Sequence, residues 1–169
     1  FVQALEGESM DHQIISYFGA GHGKTSAAIG YGIQVASKGG RVIMIEFLKS
    51  RDENELDFVK RLEPEFRVFR FQKSDRFYDE LTEEEKEEER ENMQNGLHYA
   101  RKVLLTGESD LLILDEVLGL VSEGIITEEE LRRLLETGMG NTEKILTGQK
   151  ITDGILAVSG RAYEIRCAK

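Results

Sequence analysis

The 169-residue sequence predicts an α/β protein, a mostly parallel sheet with helices on both faces. Three observations point there. Short apolar runs rich in β-forming residues alternate with helix-like stretches, a glycine-rich turn joins the first run to the first helix, and a later run, LLILDE, ends in two acids.

Taken in order, QIISYF at 13–18 reads as a buried strand that runs straight into glycine. Residues 24–37 suit a helix, stopped by KGG at 38–40, and RVIMIEF at 41–47 reads as a second buried strand. Residues 53–62 have a helical pattern, FRVFRF at 66–71 alternates as a strand does, and a long helix is expected over most of 82–105. DLLILDE at 110–116 reads as a central strand. TEEELRRLLE opens on a capping box from Thr127 to Glu130, and EKILT and AYEIRC supply two further strands.

The length fits one domain, expected over residues 10–169, with 1–9 an added or flexible N-terminal segment and Met10 the natural start. A formal charge of −10 argues against a general nucleic-acid surface, whose affinity comes mostly from basic residues facing phosphates. No apolar run approaches the roughly 18 residues of a membrane span, and the first ten residues lack the basic and apolar regions of a signal peptide. The single cysteine, Cys167, excludes an intrachain disulfide framework and a multi-cysteine zinc site, so the cytoplasm is the expected compartment and a buried structural thiol the expected state. His12, His22 and His98 are scattered, without metal-motif spacing, and EEEKEEERE at 83–91 is expected to be a solvated helix face.

The turn itself reads YFGAGHGKTS. In the phosphate-loop pattern G-x-x-x-x-G-K-[ST] the first glycine lies six residues before the lysine, but six before Lys24 is Phe18, and Gly19 comes one residue late. The shorter loop still carries the necessary chemistry. Gly19, Gly21 and Gly23 allow successive backbone amides to approach a phosphate, and a helix starting near Lys24 adds its unpaired amides and the positive end of its dipole. Lys24 contributes a full charge, about 4 kcal/mol against a phosphate at about 4 Å if the effective dielectric is near 20. Thr25 or Ser26 can offer a hydroxyl to magnesium.

Asp115 and Glu116, at the carboxyl end of an apolar strand, resemble a Walker B segment and sit where ligands gather in open α/β sheets. At least one is expected to serve magnesium, directly or through water, and one of them can instead cap the following helix. Lys49 and Arg51 follow the second strand and read either as a positive spot for phosphate or as surface residues. The fold expected from these parts is P-loop NTPase-like.

GAGHGKTS resembles the G-N-G-K-G-K-[ST]-T loop of the corrinoid ATP adenosyltransferases, whose P-loop is likewise one residue shorter than Walker A. Gly19, Gly21, Gly23, Lys24, Thr25 and Ser26 match in register, with Ala20 and His22 between them and His22 in place of the usual lysine. RVIMIEFLKS is similar to that family's strand ending in Q-F-x-K-G, where Phe47 and Lys49 match and Glu46 and Ser50 depart. LLILDEV matches its L-D-E segment, and ILTGQK resembles its strand followed by T-G-R, with Gln149 at the arginine position. The resemblance covers about residues 13 to 166; the family's basic, aromatic C-terminal extension is missing, and the N-terminal segment is short for the cap of some members.

The resemblance implies that a reduced corrinoid, with cobalt as Co(I), attacks C5′ of ATP and expels triphosphate. It implies ATP, magnesium and the corrinoid as ligands, and a reductase that supplies Co(I), with a homodimer among the possible assemblies. Lys24 and Thr25 become catalytic groups; residues 19–26 and Lys49 contact nucleotide; Thr25, Asp115 and Glu116 hold the metal. Phe77 and Tyr78, in SDRFYDE, stand where the family has an aromatic loop against the corrinoid, or else form a small apolar cluster under the long helix. Two rival readings remain open: a diverged, non-catalytic nucleotide- or corrinoid-binding protein, and a P-loop ATPase or kinase, which the short loop disfavours.

Overall fold

A computed structural model describes residues 13–48 and 54–169. Along the chain it forms β1 (Ile14–Phe18), α1 (Lys24–Ser37), β2 (Val42–Glu46), α2 (Asn54–Val59), β3 (Phe66–Arg70), α3 (Glu83–Thr106), β4 (Leu111–Asp115), α4 (Val117–Ser122), α5 (Glu128–Leu135), β5 (Glu143–Gly148), α6 (Asp153–Val158) and β6 (Arg161–Glu164). The strands make one sheet in the order β3-β2-β4-β5-β1-β6, and every pairing is parallel. The fold is therefore α/β and P-loop NTPase-like, as the alternation of runs predicts.

The central strands are mostly apolar because both of their faces are covered. Leu111 and Ile113 of β4 join Ile15, Met44 and Ile145 in a cluster with Ala28 of α1 and Val59 of α2. Leu112 and Leu114, on the opposite face, join Met93 and Ala100 of α3, Leu118 of α4, Leu131 of α5 and Ile155 of α6. Each such aliphatic side chain contributes about 2 kcal/mol on burial, so the sheet itself organises the core. Register fixes the functional edge: Glu46 pairs with Asp115, and Phe18 pairs with Gly148, which brings the carboxyl ends of β1, β4 and β5 together.

Three expectations change. Cys167 is exposed, its Sγ 2.8 Å from the carbonyl of Lys169. β6 spans Arg161–Glu164, earlier than AYEIRC suggests, and as an edge strand it leaves the residues after it at the surface, so the thiol is not a core group. The acidic run of 83–91 is not wholly solvated either. Glu85 closes a capping box with Thr82 and pairs with Arg76, while Glu89 is only 4% exposed and accepts from the amides of Lys73 (3.2 Å) and Ser74 (2.9 Å). One acid of the run thus anchors the segment that leads from β3 to α3.

Candidate active site

β1 delivers the chain into residues 19–23, and Gly23 turns it into α1 with φ 103°, a left-handed value that favours glycine. Gly23 gives α1 no side-chain cap, so the helix opens with its first-turn amides facing a pocket of about 370 Å³. Ala20, Gly21, His22, Gly23, Lys24, Thr25 and Ser26 line that pocket together with Glu116 and Gln149. A helix start with an adjacent lysine offers the unpaired amides and the positive dipole end that an anion can use.

Two of the three loop glycines, Gly19 and Gly21, turn their amides away from the pocket toward the neighbouring chain. The amide of Gly19 donates to the carbonyl of Gln149 and that of Gly21 to the carbonyl of Ile165, both at 2.9 Å, while the amide of Ile165 donates back to Phe18 at 2.7 Å. A Cβ on Gly19 would lie 2.4 Å from the Ile165 oxygen, and one on Gly21 2.8 Å from it. These glycines admit the chain after β6, which straps the back of the loop. Lys24 is also less superficial than its place at the sheet edge suggests: it is 9% exposed, and its Nζ donates to the carbonyls of Gly19 (2.8 Å) and Gly21 (2.7 Å).

Beneath α1, Asp115 is fully buried and accepts from the hydroxyl of Thr25 at 2.9 Å and from that of Thr147 at 2.7 Å. Thr147 in turn accepts from the amide of Glu116 at 2.8 Å, so one hydroxyl ties the two acids to β5. Glu46 lies level with Asp115 on the neighbouring strand and is buried with it. Glu116 takes the N-cap position of α4 but makes no side-chain cap hydrogen bond, and its backbone is left-handed, φ 60°. Among the described residues, no group of three His, Cys, Asp or Glu side chains forms a metal cluster. Thr25, Asp115 and Glu116 are instead a partial set of hard oxygen donors, the kind magnesium takes when phosphate oxygens and water complete its shell.

A second cleft, about 340 Å³, adjoins the first and shares Glu116 and Gln149 with it. Leu48, Phe77, Tyr78, Asp79, Glu123 and Lys150 are among its lining. Phe77 is 56% exposed, whereas Tyr78 packs partly against the core and its hydroxyl accepts from Arg90 at 3.0 Å. Both aromatics line this cleft, Phe77 as an exposed side chain and Tyr78 with part of its surface against the core. Leu48, φ 50°, and Glu116 are the non-glycine residues with positive φ among those described, and both line this cleft, where they close over Gly119. Strained backbone of this type costs of order 1 kcal/mol or more per residue and concentrates at working sites.

Residues 20–26 and Glu116 are thus brought together, Asp115 joins them through Thr25, and Phe77 and Tyr78 face the adjoining cleft. Lys49 and Arg51 lie outside the described residues. Sequence reasoning missed Thr147, Ile165 and Leu48 as parts of the site. A hydroxyl at the end of the apolar strand EKILT was a usable signal for Thr147; the other two contribute backbone and apolar surface, which leave no chemical mark in a sequence.

A sequence model of one family, described as ATP:corrinoid adenosyltransferase BtuR/CobO/CobP, matches residues 11–169. No curated protein gives a significant match to the chain.

Proposed function

The chain belongs to the ATP:corrinoid adenosyltransferase family, and on that premise we propose that it transfers the 5′-deoxyadenosyl group of ATP to the Co(I) of a corrinoid, releasing triphosphate. The observation that carries the reading is the meeting of two clefts at Glu116 and Gln149, one with a phosphate loop and one with an aromatic mouth. A nucleotide whose triphosphate lies in the first has its 5′ end directed toward the second.

In this reaction the cobalt electron pair forms the bond to C5′ while the C5′–oxygen bond breaks and its pair leaves on triphosphate. No base is required, because Co(I) is already a strong nucleophile; the protein's task is to align C5′ and to stabilise the leaving group. Lys24 and the first amides of α1 bind the triphosphate, with Gly19 and Gly21 setting the loop's shape. Thr25, Asp115 and Glu116 would hold magnesium, which neutralises phosphate charge when bound. Phe77 and Tyr78 present an aromatic rim to the corrinoid. His22 and Lys49 are offered as further nucleotide contacts.

The same reading takes residues 10–169 as one nucleotide-binding domain working in the cytoplasm, with a separate reductase that makes Co(I) and a homodimer as the assembly. Among the described residues no helix is long and apolar enough to cross a membrane. One observation favours a second reading, a diverged binding protein without turnover: Gln149, at the position where the resemblance has arginine, lines both clefts. Product analysis separates them. Incubation with ATP, magnesium and chemically reduced corrinoid is expected to give intact inorganic triphosphate and a light-sensitive cobalt–carbon adduct. ADP with phosphate, or binding of ATP with neither product despite verified Co(I), would overturn the proposal.

A further inference from the structure

The acidic run at the start of α3 is built against the loop that lines the second cleft. Glu85 with Glu89, and Lys86 with Arg90, recur one turn apart and share one face of the helix. That face meets the segment between β3 and α3, which carries Phe77 and Tyr78 into the cleft. Glu89, only 4% exposed, accepts at Oε1 from the amides of Lys73 (3.2 Å) and Ser74 (2.9 Å), and at Oε2 from Lys73 again (3.3 Å). A carboxylate at that depth is costly unless donors answer it, and two successive amides do.

The turn held by Glu89 is closed further: the Ser74 carbonyl accepts from Gln72 (3.2 Å) and Arg70 (3.3 Å), and the Ser74 hydroxyl accepts from the amide of Arg76 (3.1 Å). Arg76, one residue before Phe77, pairs with Glu85. One residue after Phe77, the Tyr78 hydroxyl accepts from Arg90 (3.0 Å), and the Lys86 ammonium lies 5.9 Å from the Tyr78 ring centre. Phe77 is thus held through its neighbours on both sides, while its own side chain stays exposed. Resting on the adenosyltransferase reading, we propose that Glu89 is a positioning residue for the acceptor: through the amides of Lys73 and Ser74 it keeps the loop in the form that presents Phe77 and Tyr78 to the corrinoid. Order already present in the free protein need not be imposed when the ligand arrives, so the clamp acts on acceptor affinity and leaves the chemical step alone. None of these residues lines the nucleotide pocket.

The test compares Glu89→Ala, Phe77→Ala and the double variant with the unaltered full chain, each checked for folding by thermal melt. Equilibrium dialysis of cobalamin and of cobinamide, both as Co(II), with ATP and magnesium present gives acceptor affinity without turnover; hydrogen exchange over residues 72–80 reports the order of the loop. Glu89→Ala is expected to speed that exchange and to weaken corrinoid binding about fivefold, with ATP affinity and kcat at saturating corrinoid within about twofold. Because Glu89 acts through Phe77 and its neighbour, the double variant should lose no more than about tenfold, short of the roughly 25-fold that two independent fivefold effects would give. Arg76→Gln with Arg90→Gln, at half-exposed positions, loosens the same loop without opening a buried site; it should weaken corrinoid binding about threefold, and it decides the matter if Glu89→Ala does not fold. Corrinoid affinity unmoved by faster exchange, equal losses of ATP and corrinoid affinity, or a fully multiplicative double variant overturns the positioning role, while adduct formation by the unaltered chain keeps the transferase reading standing. If the unaltered chain binds ATP but neither corrinoid, the transferase reading fails and the proposal falls with it.

Discussion

The two clefts that meet at Glu116 are built in opposite ways. The phosphate loop is strapped: Gly19 and Gly21 are held by the carbonyls of Gln149 and Ile165, Lys24 is anchored to two loop carbonyls, and Asp115 is fixed by two threonine hydroxyls. The neighbouring cleft is rimmed by exposed side chains on short turns, with Phe77 at the start of a single helical turn over Tyr78–Glu80. A leaving triphosphate develops charge at defined atoms, so its donors act best when they need no rearrangement. On the proposed reading a broad acceptor must enter and leave, and an open rim suits that. The division predicts that damage to the strapped side removes chemistry, whereas damage to the open side weakens acceptor binding.

The largest effect is expected from Lys24→Ala, a loss of about 100-fold or more in turnover together with weaker ATP binding by calorimetry. Because Lys24 also bridges two loop carbonyls, a modest drop in melting temperature should accompany it. Thr147→Val comes next. It removes the hydroxyl that joins Asp115 to the Glu116 amide and should lower turnover about tenfold and stability by about 1–2 kcal/mol, with Thr147→Ser restoring much of both. Gly21→Ala forces a methyl toward the Ile165 carbonyl and should cost about 1–3 kcal/mol while weakening ATP binding, which calorimetry and thermal melts report together. Phe77→Ala tests the open side: corrinoid KM should rise about fivefold with ATP affinity retained. A matching loss of ATP affinity would erase the distinction between the clefts.

The smallest functional effect is expected at the other end of β5. Lys144 is 3% exposed, its Nζ bonds only to the Thr142 carbonyl at 3.2 Å, and burial holds its pKa below the usual lysine value. The unfolded chain therefore keeps this proton to higher pH than the folded protein does. Between the folded value and the ordinary lysine value near 10.4, stability rises with pH; below the folded value, the buried charge is a constant penalty. Lys144→Met should add about 1 kcal/mol at neutral pH, flatten that alkaline rise and leave turnover intact.

Much of the strapped side was legible in sequence because its chemistry is local. Glycines, lysine and hydroxyl sit within eight residues, and the acids close an apolar strand, so type and spacing revealed them. Strand identities were equally plain for β2 and β4, which are buried on both faces and read as nearly continuous apolar runs. What stayed hidden depends on contacts distant in sequence. Ile165 reaches the loop through its backbone alone, and Thr147 meets Asp115 across 32 positions. The short helices α4 and α6 are six residues each, too brief for helical periodicity to register, and Cys167 looked like a core thiol only because nothing local shows that β6 lies at the sheet's edge.

In the proposed reaction the strapped side acts on ATP only on behalf of the open acceptor side. The direct measurement is the rate of ATP loss with magnesium, in the presence and absence of a reduced corrinoid, under identical reducing conditions. ATP loss is expected to depend on the corrinoid and to match it mole for mole. Equal loss without corrinoid, with ADP accumulating, would contradict the claim and make the loop the site of a phosphate-cleaving enzyme.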